Sequence, residues 1–507
     1  MATGFPSIEK ETRDYLLLYR FNESKGRAEL VMRRKGAGKH FACHTRYNLL
    51  DQDGRLKETR PITEEVARFI MAHFDARGDT ASFEIHEDDI ASGKLAPARA
   101  GVPEPAQIRH ARTDAEQSYT STGAKLNHHW PIFAKFRDTG FGSIIRATMT
   151  LHQVCSSHCH YCSTIARNRK DSISLAEAKA FVEKLYHDQA AFNREQFGDY
   201  NDKYRAVAGT DIRLRGLILS GGGQPNLWPH FEEFVAWLAT LDIDLGLITN
   251  GFPATVDDAI YRKFKWIRLS VTPEDASPHY PQGRFDLQRL PATIVHNPDV
   301  LVGLSYVYGP WTDDDILRRI DAAIGKYGFD YCRLLTDCNL ARGAQLRAHQ
   351  ALADKLHALG FIDEHGNPLS RLFHQLKYHG THAEADALWE DGQCFLQLYN
   401  VFWDTTGHEE RGHSYCYACD SITVLAEEAA AGAVSASERR FNHEKWGTVR
   451  NDRVEDLYRL KVRPFFDPRE TCSACLFMRN NQAVKDLVRT AGDGTALPAG
   501  IDHVNFP

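Results

Sequence analysis

The stretch IIRATMTLHQVCSSHCHYCST, Ile144 to Thr164, decides the fold. Its first part, Ile144 to Leu151, is β-prone and reads as a strand. That strand runs straight into Cys155, Cys159 and Cys162, three thiols at a three-then-two spacing. Three thiolates so spaced can hold three irons of a four-iron, four-sulfur cluster. Structural clusters and zinc sites take four protein ligands, so the missing fourth leaves one iron open to another molecule. A zinc knuckle is the competing structural reading.

Working outward, strands and helices alternate from about Ser143. Ser174 with Glu177 three residues on forms a capping box for a helix through Phe181, Val182 and Leu185. Leu217 to Leu219 is a short buried strand ending in a glycine run, and Phe231 to Leu241 an amphipathic helix. Leu245 to Ile248, Trp266 to Val271, Val300 to Val307 and Tyr331 to Leu335 supply four more strands, with a helix Ile316 to Tyr327 before the last. Six strands with intervening helices predict a parallel α/β unit, open or partly closed, the closed form being a partial (β/α)6 parallel barrel. In such folds chemistry sits at the carboxyl ends of the strands, where the cysteine loop, the glycine run and Thr249-Asn250 all fall.

On either side the pattern differs. Residues 1–92 read as a small mixed domain: Glu29 to Arg33 and Lys39 to Tyr47 pair as strands, and Thr63 opens a helix. Residues 93–140, rich in Pro, Ala and Gly at their start, read as a linker or surface crossing. The barrel takes 141–345, a helical linker 346–390, a cysteine-rich C-terminal domain 391–480 and a tail 481–507.

The spacing CxxxCxxC, with Tyr161 just before the last cysteine, resembles the signature of the radical S-adenosylmethionine enzymes. LILSGGGQPNLW, Leu217 to Trp228, resembles that family's Gly-Gly-Glu-Pro motif, with Gln224 where the acidic residue usually stands. The resemblance implies that Cys155, Cys159 and Cys162 bind a 4Fe-4S cluster whose open iron is chelated by S-adenosyl-L-methionine. Gly222, Gly223 and Gln224 would meet the cofactor's amino group; Gln224 brings an acceptor but no charge. Thr249, Asn250 and Ser270 resemble the polar strand-end residues that contact ribose and carboxylate, Gly303 and Leu304 fall where the fifth strand meets adenine, and Tyr161 packs on adenine or cluster. On residue types alone, Asn250-Gly251 is equally a turn and Ser270 a core hydroxyl.

A second set, Cys394, Cys416, Cys419, Cys472 and Cys475, includes two CxxC pairs, a metal signal that zinc would also satisfy. Its order resembles the twitch or SPASM extension of the same family and implies one auxiliary 4Fe-4S cluster. Cys394, Cys416, Cys472 and Cys475 fit the shorter pattern; Cys419 is spare or replaces Cys394. Cys338, after the sixth strand, is the candidate catalytic thiol that returns a hydrogen atom to a radical.

Composition bounds the rest. Across 507 residues, 43% are hydrophobic and 25% charged, with a formal net charge of −6. That balance argues against nucleic acid and anionic membrane as partners. The opening residues read as neither export signal nor membrane anchor, and seven of eleven cysteines lie in clustered motifs, so the expected compartment is a reducing cytoplasm. The expected partners are a peptide or small-molecule substrate and a flavodoxin- or ferredoxin-type reductant. The implied function is hydrogen abstraction from a substrate carbon: cross-linking, epimerisation or oxidation of a ribosomally made peptide or natural-product intermediate, or dehydrogenation or epimerisation of a sugar or other small metabolite. A non-catalytic iron–sulfur or zinc scaffold is the alternative of another class.

Overall fold

The computed structural model describes residues 8–11, 15–22, 27–34, 40–44, 123–157, 159, 161–162, 168–251, 256–272, 292–337, 340, 342–364, 368–375, 393–419, 449–450, 453–459 and 477–507. They divide between two compact units, residues 1–108 with 380–391, and residues 109–379 with 392–507.

In the first unit, β1 (Ile8–Glu11), β2 (Tyr15–Asn22), β3 (Arg27–Arg34) and β4 (His40–His44) form an antiparallel meander in that order. The two strands expected from sequence correspond to β3 and β4. The apolar run Tyr15 to Tyr19 lies in β2, paired Tyr19↔Leu30 and Tyr15↔Arg34. The helix expected from Thr63 lies outside the described residues.

The second unit is built on a sheet whose centre is β5 (Arg146–Thr150), β6 (Gly216–Ser220), β7 (Asp244–Thr249), β8 (Trp266–Val271), β9 (Leu301–Tyr308) and β10 (Tyr331–Thr336). Each strand lies parallel beside its predecessor. Sequential order without a reversal is the winding of a barrel; a doubly wound sheet reverses at a switch point. The packing agrees. Leu217, Leu219, Leu245, Leu247, Ile267, Leu269, Val302 and Leu304 share one core with Phe181, Phe234, Ile316 and Leu352 from the helices. Burying each such side chain contributes about 1.5–3 kcal/mol. The alternate residues face the other way, where Ile218, Trp266 and Phe506 cluster with Ile248 and Leu301. Helices therefore layer one face and leave the other as the inner wall of a partial barrel.

The helices follow local rules. Leu175–Glu183 starts at the capping box: Ser174 accepts from the Glu177 amide and Glu177 from the Ser174 amide. Asp313 caps Asp314–Tyr327 by accepting from the Ile316 amide at 2.8 Å.

Both edges of the sheet are extended. β11 (Leu372–Gln375) adds parallel to β10, and β12 (Asn400–Asp404) adds parallel to β5, followed by antiparallel β13 (Tyr415–Tyr417) and β14 (Val449–Arg450). Among the described residues from 393 on, β12 joins the barrel's own sheet by pairing the otherwise open edge of β5, within the same compact unit.

The stretch read as a linker also needs correction. Its last part holds helix Trp130–Thr139, with Ile132, Phe133 and Phe136 buried in a second core alongside Tyr204, Tyr399 and Val484. Within it Lys135 is fully buried, its Nζ donating to Gly142 O at 2.9 Å, to Ser143 Oγ and to Asn193 Oδ1 at 2.7 Å. Three oxygen acceptors replace the lost water, and burial lowers its pKa to about 7.

The amino ends of the strands are covered by residues 504–507. Asn505 Nδ2 donates to Asp244 Oδ2 at 2.7 Å, and Phe506 meets Trp266 edge-on at 5.5 Å. Val504 O pairs with His129 Nε2 at 3.0 Å, and Arg146 donates to Pro507 O.

Candidate cluster and cofactor site

β5 delivers the chain to the cysteine loop at the carboxyl end of the sheet. Cys155, Cys159 and Cys162 lie at intermediate exposure on this one loop, none of them in a disulfide. The Cys162 amide donates to Cys159 O at 3.1 Å, and the Ser157 amide points at Cys155 Sγ at 3.4 Å. Among the described residues, no three Cys, His, Asp or Glu side chains converge closely enough to hold a metal ion. The donor chemistry fits a cluster none the less: three soft thiols on one loop, partly open to an incoming metal.

The glycine run packs against this loop. A Cβ on Gly222 would lie 1.8 Å from Gln153 Oε1, and one on Gly223 2.5 Å from Val154 O and 2.6 Å from His152 O. The sequence suggested that these glycines let a ligand approach; what approaches them is the chain's own extension of β5. Gln153 is fully buried and held from the other side, its Nε2 donating to Thr405 Oγ1 at 3.0 Å and Thr406 Oγ1 at 3.3 Å.

Gln224 is tied to the same segment at three points. Its amide donates to Val154 O at 2.7 Å, its carbonyl accepts from His152 Nε2 at 2.6 Å, and its Oε1 accepts from Ser156 Oγ at 2.7 Å. Burial depresses the pKa of His152, against the raising effect of its bond to Gln224. A neutral imidazole with Nε2–H donating matches that contact. Asn250, after β7, donates from Nδ2 to Ser156 Oγ at 3.0 Å and to Ser157 Oγ at 2.7 Å. Thr249 is occupied by its turn: Oγ1 donates to Asn226 Oδ1 at 2.6 Å and accepts from the Gly251 amide at 3.0 Å.

Tyr161 stacks on Trp311 at 5.9 Å between centroids, 24° between planes. Trp311, from the turn after β9, escaped the sequence reading; an isolated Trp beyond a strand carries no local signal. Ser270 is half-buried on the inner face of β8, in register with Ser305. Gly303 also faces inward, filled by the Tyr331 ring, whereas Leu304 points to the helix layer.

The second cysteine set is divided. Cys394 lies in the core around helix Trp130–Thr139, and Cys419 packs against that core. Cys416, on β13, lies in the main core with Trp403 and Val454, and burial pushes its thiol pKa up. Cys338, Cys472 and Cys475 lie outside the described residues.

A sequentially wound parallel sheet, layered with helices on one face and carrying a CxxxCxxC loop at the carboxyl end of its first strand, defines the class of fold: a partial parallel (β/α) barrel with its cysteine loop at the strand ends. No protein-family model matches the chain, and no curated protein does. Among solved structures it is similar to SuiB of Streptococcus suis bound to its precursor peptide SuiA, with 13% identity over 83% of this chain and 84% of that one and a TM-score of 0.38. It is also similar to BtrN in complex with AdoMet and 2-DOIA (12% identity, 66% of this chain and 92% of that one, TM-score 0.26). A third is methylornithine synthase (15%, 46% and 67%, TM-score 0.25). Likeness at this level carries no argument about function.

No described helix is long and apolar enough to cross a membrane.

Proposed function

We propose that the chain is a radical S-adenosylmethionine enzyme that abstracts a hydrogen atom from a carbon of a ribosomally made peptide or natural-product intermediate. One observation carries the reading: the three-cysteine loop leaves the carboxyl end of β5 and is hydrogen-bonded to the ends of β6 and β7 through Gln224 and Asn250. Cys155, Cys159 and Cys162 would hold the cluster. The cluster and the cofactor, when bound, would supply the one-electron chemistry that hydrogen abstraction needs. The chain's own residues position and enclose. Gln153, Gly222 and Gly223 pack the loop to the sheet, and the Tyr161–Trp311 stack walls the loop on the side of β9.

An auxiliary cluster would draw on Cys394, Cys416, Cys419, Cys472 and Cys475. The division of the cores favours Cys394 and Cys419 over Cys416. The peptide reading draws support from the meander of the first unit, in which β1 and β4 are the edges among the described residues and could accept an extended segment as an added strand.

The test is anaerobic reconstitution with iron and sulfide, reduction, and assay for 5′-deoxyadenosine. Iron is counted in parallel on wild type and on the Cys155→Ala/Cys159→Ala/Cys162→Ala variant. The expected result is 5′-deoxyadenosine from wild type, and from the variant loss of both product and about four irons. Zinc binding, or clusters that never cleave the cofactor under strong reductant, would favour a scaffold instead.

A further inference from the structure

Resting on that reading of the loop, we infer that Asn250 is a positioning residue that latches the segment between Cys155 and Cys159 to the sheet, setting the loop's shape before any metal is bound. Donor capacity carries this. A side-chain amide nitrogen has two hydrogens. Those of Asn250 go to Ser156 Oγ and Ser157 Oγ, the two residues following Cys155. Ser156 then passes its own hydrogen to Gln224 Oε1, so the bonds run in one direction, from β7 through the loop to the turn after β6. Directed chains of this kind polarise one another and are stronger than their members separately. Asn250 is 8% exposed and Gln224 2%, which keeps competing water from both ends of the chain. An Asn250 amide donating to a cofactor hydroxyl would have to release one of the serines.

The latch also acts on Cys155. Ser157 is held by its hydroxyl while its backbone amide points at Cys155 Sγ at 3.4 Å, so the side chain that fixes Ser157 also aims that N–H at the sulfur. Asn250 touches no thiol itself and acts through Ser157.

Hydrogen exchange of the full-length protein as purified, before cluster insertion, tests this without depending on catalysis. Asn250→Ala removes two hydrogen bonds, so peptides spanning residues 154–162 are expected to exchange at least roughly tenfold faster. Peptides from β6, β8 and β9 should keep their wild-type rates. Ser157→Ala is expected to accelerate the same peptides, and the double variant no more than Asn250→Ala alone, the non-additivity of one shared contact. Loop exchange unchanged in both single variants, or effects that simply add, overturns the latch. If Asn250→Ala raises exchange through the whole barrel, Ser157→Ala decides alone: local acceleration supports the latch and no acceleration overturns it. On reconstituted protein the latch requires the cluster's electron paramagnetic resonance line shape to change in Asn250→Ala, and an unchanged line shape counts against it. Failure of wild type to cleave S-adenosylmethionine would strike the proposed function and leave the exchange result standing.

Discussion

Gly223→Ala tests the contact between the glycine run and the cysteine loop. The new Cβ would sit 2.5 Å from Val154 O, 2.6 Å from His152 O and 2.7 Å from Gln153 C, all inside the 3.0 Å that real Cβ atoms keep. Every atom it meets is backbone, and that backbone is pinned. The Gln153 amide donates to Asp171 O at 2.9 Å, and His152 bridges Ser172. Relief requires the glycine run to lift away, breaking the bonds from the Gln224 amide to Val154 O and from Ser156 to Gln224. Two lost hydrogen bonds at about 1 kcal/mol each, plus about 1–2 kcal/mol of residual overpacking, give a cost of about 3–4 kcal/mol. Gly209→Ala is the control: its φ is +72°, with nothing within 4 Å of the added carbon, so it bears only the left-handed backbone cost of about 1–2 kcal/mol. Urea denaturation of both variants, followed by near-ultraviolet circular dichroism, measures the difference. A Gly223→Ala protein no less stable than Gly209→Ala would refute the account of the glycine run as a seat for the loop.

Burial lowers the His129 pKa to about 4, with its ring between Tyr204 Oη and Val504 O. The unfolded chain therefore binds more protons between pH 4 and the ordinary histidine value of about 6.5, and stability should fall as pH drops through that window, a slope that His129→Gln flattens in pH-dependent melts. Lys135 works in a higher window. Its folded value near 7 lies below the unfolded value of about 10.4, so stability should rise with pH between them, and Lys135→Met should remove that rise while leaving Asn193 Oδ1 and Gly142 O short of a donor. Phe506→Ala should cost about 3 kcal/mol by emptying the space against Trp266, read as a lower melting temperature with the cysteine loop's iron capacity unchanged.

What the sequence made legible was local. The capping box at Ser174, the Asp314–Tyr327 helix and the strands β6 to β10 are each written in a few neighbouring residues, and their order alone implies a barrel winding. The pairing of β12 with β5 was not legible: Asn400 sits opposite Arg146, and no short-range pattern announces a partner so distant. The run Cys394 to Gly407 therefore reads as part of a separate cysteine domain until its neighbours are seen. Helix Trp130–Thr139 was hidden by the Pro- and Gly-rich residues ahead of it. At the site, the family resemblance, not residue type, pointed to Gln224 and Asn250 as polar groups facing a cofactor. The serines that they hold come from another strand's loop, and only the folded chain brings them together.

Residues 504–507 close the amino end of the barrel, and their distance along the chain has a consequence for synthesis. Asn505 follows its partner Asp244 by 261 residues. At about 5–20 residues per second, a ribosome needs roughly 13 to 50 seconds between making the one and the other. Once β8 is made, β5 to β8 exist for the rest of that interval with the Trp266 side of the bowl uncovered, and Cys155, Cys159 and Cys162 precede all of these strands but β5 in synthesis. The nascent chain thus presents its three-cysteine loop before its floor, and on the proposed reading iron delivered during translation would meet a barrel that is still open from below.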